Sequence, residues 1–186
     1  MILRLIASTG IVLAIMFASA GADDSNDTSP GVAPATSVEE ARARARILHE
    51  AFHGALQVMH RDFFDEDDAR VLPSGSLEDV FEALQHSYDI QVRWLAVNAK
   101  AMNIDHEANS DFEKQAVAAL ASGKKEYELV TTNEYLHAGT IRLASQCLKC
   151  HLPQRTSTAD RAAGLSIRMP LNMPPKQATQ QQDLAE

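Results

Sequence analysis

The sequence predicts an α+β domain, a small antiparallel sheet backed by helices. Three observations predict it: long stretches with apolar residues at helical spacing, short runs that alternate apolar and polar residues, and their mixed order along the chain. Ser37-Val38-Glu39-Glu40 has the form of a capping box and opens a long helix to about Phe64. Residues 65–75 are acidic, hold Pro73 and Gly75, and read as a loop. Ser76 is expected to cap a second helix, with Leu77, Val80, Phe81, Leu84 and Tyr88 along one face.

Within 89–98, Ile90, Val92, Trp94 and Ala96 alternate with more polar residues and predict a strand. Ser110-Asp111-Phe112-Glu113 is another capping box, for a helix that Gly123 stops. Residues 127–131 and 135–143 predict two strands joined at Asn133, and 162–169 a final strand ending at Pro170. The order is helix, helix, strand, helix, strand, strand, a cysteine-bearing segment, strand.

The termini frame one domain. Arg4 followed by an apolar run of 13 residues, 5–17, and small residues at 18–22 predicts a secretory signal over 1–22. A spanning helix needs about 20 apolar residues, so a membrane anchor is the weaker reading and holds only if the signal is uncleaved. Residues 23–36 read as a flexible leader, 37–170 as the folded domain, and 171–186 as a disordered tail rich in glutamine. The expected location is periplasmic or otherwise exported. A net charge of −8 argues against nucleic acid as a partner.

Cys147-Leu148-Lys149-Cys150-His151 carries the chemistry. C-x-x-C-H is the attachment pattern of c-type haem: two thiols add to the two vinyl groups of one porphyrin, and the next histidine reaches the iron. Three readings compete with it. Structural zinc wants four Cys or His ligands, and Cys147 and Cys150 are the only cysteines. A redox dithiol belongs near the start of a βαβ unit, and a surface disulfide is the bland alternative. Haem attachment requires export, which the signal supplies, so one covalent haem c per chain is expected.

With the motif placed, the surrounding residues resemble those of a known family: exported single-haem c-type domains with a PAS-like core, found alone or as sensor modules. Val92-Arg93-Trp94 leading to Asn98 and Asn103, then Phe112-Glu113, resembles the family's strand, asparagine-containing loop and following helix. Tyr135 to Ile141 running into the cysteines resembles its hairpin and haem segment, and Ala163-Gly164-Leu165-Ser166-Ile167 its last strand. The resemblance covers roughly 38–170. It implies a PAS-like sheet with haem against it, sensing of redox state or a diatomic gas, and no turnover of substrate. Some members use a cysteine from the helical N-terminal half as the sixth iron ligand, and this chain has no third cysteine.

The sixth ligand is therefore sought elsewhere. His49, His53 and His60 fall within about 40° of one another on the first helix, with Leu56 and Phe63 on the same face. His60, flanked by Met59 and followed by Phe63-Phe64, is the first choice and His53 the second; a polar helix edge is the plain alternative. His137, on the strand entering the motif, lines the pocket or is an ordinary strand histidine. Arg142 and Lys149 lie near enough in sequence to pair with propionates, or are surface charge. Met169-Pro170 and Met173-Pro174 resemble the ligating Met-Pro of class I cytochromes c, but there the haem motif opens the domain. His86 and His106 read as surface residues, and Trp94 as core. The acidic residues Asp62, Asp65, Glu66, Asp67 and Asp68 lack the spacing of a calcium loop.

The leading expectation is an exported monohaem protein that reports redox state or a gas to a separate redox partner or membrane signalling protein. A periplasmic electron-transfer cytochrome is the alternative. A four-helix cytochrome also places its motif late, but 35 residues follow His151 here, among them the strand-like 162–169. No nucleophile triad or phosphate loop is present, so catalysis is not expected.

Overall fold

The computed structural model describes residues 32–63, 72–99, 101, 103–152, 154 and 156–174. The signal expected over 1–22, the leader up to residue 31, most of the acidic loop and the tail beyond 174 lie outside the described residues.

The elements are α1 (Val38–Asp62), α2 (Pro73–Tyr88), β1 (Gln91–Ala96), a 3-10 turn at Ile104–His106, α3 (Asp111–Ala121), β2 (Glu126–Val130), β3 (Glu134–Arg142), α4 (Ser145–His151) and β4 (Ala162–Pro170). The strands form one sheet in the order β1-β4-β3-β2, each neighbouring pair antiparallel. The last strand thus sits beside the first and next to the β2–β3 hairpin.

Side-chain alternation gives this sheet two faces. Val92, Trp94, Tyr135, Ile141, Leu165, Ile167 and Met169 meet Ala41, Ala45 and Phe52 of α1 and Leu77 and Phe81 of α2. On the other side Leu95 and Ala138 meet Phe112, Ala116 and Leu120 of α3. Trp94 is core: its ring lies 5.0 Å from Phe81, which lies 5.0 Å from Phe52.

Local chemistry sets the helix boundaries. Ser37 accepts from the Glu40 N–H at 3.2 Å, but the Glu40 carboxylate reaches Thr36 rather than closing a box on Ser37. The second helix starts four residues earlier than expected, with Leu72 rather than Ser76 at the cap position. Pro73 occupies its first position and Ser76 lies inside it, because a residue lacking an N–H is at home where helical donors have no partner. On its face Leu77 and Phe81 are buried, whereas Val80 and Tyr88 are exposed. The Ser110–Glu113 capping box is complete, and Gly123 takes φ +94° to end α3.

The domain also reaches past its expected limits. Ala35, assigned to the leader, is fully buried and bridges Leu171, assigned to the tail. A single backbone bridge there ties residue 35 to residue 171, next to β4.

Candidate functional site

Leu143-Ala144 carries the chain from β3 directly into the seven-residue α4, which holds the whole C-x-x-C-H segment. The Ala144 carbonyl accepts from the N–H groups of Cys147 and Leu148, and the Leu148 carbonyl from that of Leu152. Leu148 of this helix is buried. Helical geometry brings positions 147, 150 and 151 to one side, since residues three and four apart are neighbours. Arg161 straps the segment from behind: its carbonyl accepts from Leu143 N–H, and its guanidinium donates to the Asn98 carbonyl at 2.8 Å.

His151 is half-buried. Burial pushes its pKa down, and the neighbouring His60 and His106 push it further in the same direction. The imidazole is therefore held neutral, the form that ligates a metal. A neutral histidine beside two cysteine positions is the donor set that C-x-x-C-H haem attachment requires, so the residues fit that group.

Of the histidine stripe, His60 is the member brought to His151. It stands on the last turn of α1, and its Nδ1 lies 2.9 Å from the Leu56 carbonyl. A carbonyl only accepts, so Nδ1 donates in that bond, the arrangement in which a ligating histidine would use its other ring nitrogen. His53 points into different surroundings, with its ring 5.8 Å from buried His49 and its Nε2 2.8 Å from Gln57. His137 is 1% exposed on β3, its ring 6.2 Å from that of His49 and 6.5 Å from that of Tyr135. Burial drives its pKa down to about 4 despite the opposing pull of Glu126. Arg142 is exposed and pairs with Asp160 at 2.5 Å. Met169 is buried in the sheet core.

One residue of the site escaped sequence reasoning. His106 sits in the 3-10 turn, where its Nε2 meets the Glu78 carboxylate at 2.8 Å, and its charge reaches His151. The turn is firmly built. Asn103 caps it, and Arg93 donates to the Asp105 carbonyl at 2.6 Å while pairing with buried Glu113 at 2.5 Å. The loop asparagines thereby acquire roles: Asn103 shapes the turn, and Asn98 accepts from Ala162 N–H at 2.7 Å to join β1 to β4. No spacing rule pairs residues 78 and 106, so only the packed fold reveals them together.

Fold and site together define a class: an antiparallel sheet with helices on both faces and a C-x-x-C-H helix set before its last strand. The chain belongs to the Tll0287-like family, whose model matches residues 35–170. Among solved structures it is similar to the crystal structure of the cyanobacterial haem protein Tll0287. The two share 12% identity over 73% of this chain and 97% of that one, with a TM-score of 0.53. At that identity the likeness concerns the fold. No curated protein matches the chain.

Proposed function

We propose that this chain is an exported haem-binding protein carrying one haem c, which reports redox state or a diatomic gas through the iron. Cys147 and Cys150 would hold the group by thioether bonds, each S–H adding across one vinyl group, and His151 would be an axial ligand. Bound haem supplies a redox-active, gas-binding iron. The family membership, the haem-protein neighbour and the neutral His151 support this reading. The place of the last strand beside the first supports a PAS-like description of the sheet.

The observation that carries the sensing role is the position of His60. Its tautomer is fixed by Leu56 and it neighbours His151, which suits it to the sixth position. Yet it lies three residues before the C-cap Phe63, on a terminal turn, where helices fray at least cost. A ligand so placed can be withdrawn when the iron changes state or meets a competitor. No turnover is proposed. The signal passes to a redox partner or membrane signalling protein, and the apolar run at 5–17 supports export.

Electron transfer is the second reading. Phe63 is 78% and Ile104 77% exposed, close in sequence to His60 and His106, and exposed apolar side chains there suit brief docking of a redox partner. Absorption spectra of both oxidation states separate the two. Sensing predicts a six-coordinate wild type whose ferrous form takes up CO with loss of the sixth ligand. His60→Ala would become five-coordinate, and His53→Ala would match the wild type. A ferrous spectrum indifferent to CO and NO would favour electron transfer. A His60→Ala spectrum identical to the wild type would contradict the ligand assignment.

A further inference from the structure

We propose that the outward face of α1 pairs, antiparallel, with the same face of a second copy of this chain. The inner face of the helix is committed to the core, where Ala41, Ala45, His49 and Phe52 are buried. The opposite face meets water and is expected to be polar. It is polar only at its ends. Ala43, Ile47, Ala51, Gly54 and Val58 lie within about 40° of one line along the helix, with Glu40 and Arg61 continuing the line at either end. All five are exposed, Ile47 by 69% and Val58 by 42%. Single exposed apolar residues are ordinary, but an unbroken row over about four turns is the seam pattern of paired helices.

Gly54 adds a separate observation. A glycine inside a helix costs about 1 kcal/mol relative to alanine, and a close neighbour is the usual reason to keep one. A β-carbon at Gly54 would meet nothing within 4 Å among the described residues. The described fold makes no use of this notch, and it stands open on the seam.

The order of residues selects the occupant and its direction. An antiparallel pairing centred between residues 50 and 51 sets Ile47 against Gly54 of the second copy, Ala43 against Val58, and Glu40 against Arg61. Each contact then occurs twice, so large meets small and acid meets base, as a two-fold interface requires. A parallel pairing sets Glu40 beside Glu40 and leaves the notches facing each other. Glu40 already bonds Thr36 and Arg44, and Arg61 bonds Asp62. Both remain partly exposed, and a carboxylate and a guanidinium each have bonding positions to spare. The same register brings the two Glu50 carboxylates together beside the axis, which opposes association. One helix face about 30 Å long is a small interface, so the dimer is weak and forms reversibly.

Sedimentation velocity of the full chain, as purified from an exporting host, tests the pairing. Half-association is expected at about 10–100 μM. Ile47→Asp should weaken it by about tenfold or more, with circular dichroism unchanged. Gly54→Leu should weaken it comparably while thermal stability holds or rises, because leucine is the better helix former. A residue serving only the fold of one chain would not behave this way. Arg61→Glu should weaken the dimer about threefold, Glu40→Arg combined with it should restore association, and Glu50→Gln should tighten it about threefold. A chain that stays monomeric at about 1 mM overturns the proposal, as does a dimer that Ile47→Asp and Gly54→Leu leave intact. A dimer lost in Ile47→Asp but indifferent to the charge reversals overturns the antiparallel register. Monomers that bind phosphatidylglycerol vesicles through Ile47 would assign the face to a membrane surface instead.

Discussion

His49 packs so closely on Gly139 that a β-carbon at residue 139 would overlap its imidazole, with Nε2 only 2.5 Å from where that carbon would stand. The contact fixes how near α1 lies to β3, because the helix brings a large ring to a strand position that has no side chain. Gly139→Ala is expected to destabilise the fold by about 1–3 kcal/mol, since the ring or the helix must move. Replacing His49 with Ala in the same background should recover part of that loss. Urea denaturation of the two single variants and the double variant gives the coupling.

Acid should weaken the fold through His49 and its neighbour His137. His137 has its pKa pushed down to about 4 by burial, and His49 is shifted in the same direction, again chiefly by burial. An unfolded histidine titrates near 6.5. Between about pH 6.5 and 4 the unfolded chain therefore binds more protons than the folded one, so stability rises with pH and falls on acidification. His137 alone accounts for up to about 3 kcal/mol of that loss. His137→Phe should flatten the dependence, read as a smaller difference between urea midpoints at pH 7 and pH 5.

Glu113 joins three elements. Its carboxylate pairs with Arg93 of β1, accepts from Asn109 N–H at 2.9 Å, and completes the cap of α3, with a side chain only 5% exposed. Glu113 is buried whereas Arg93 keeps 31% exposure, so Glu113→Ala should cost about 2–3 kcal/mol through the lost cap and ion pair, less than for a fully buried pair. The turn bearing His106 also loses part of its support, because Arg93 holds the Asp105 carbonyl. Thermal denaturation checks the first effect, and weakened protection of the 104–107 amides in hydrogen exchange checks the second.

The order of elements was legible because most carry local signals: caps at Ser37 and Ser110, alternation at Val92 and Trp94, and a positive-φ glycine after α3. The start of α2 was not, since Pro73 signals either a loop or a helix beginning and spacing does not choose. The histidine stripe was half legible. Angular spacing puts His49, His53 and His60 on one face, but eleven residues span about 16 Å of helix. One end therefore lies buried against β3, and the other reaches the last turn beside His151. His106 and Glu78 meet only through tertiary packing, so no local pattern announces them.

The central claim is one haem held covalently at Cys147 and Cys150, and the intact mass of the denatured protein tests it most directly. Expression should be in a host that exports the chain and attaches haem c. A single species is expected, with the mass of the chain shortened near residue 22 plus one haem, and the two-bond attachment should be lost in Cys147→Ala. A chain whose mass carries no haem after denaturation would contradict it.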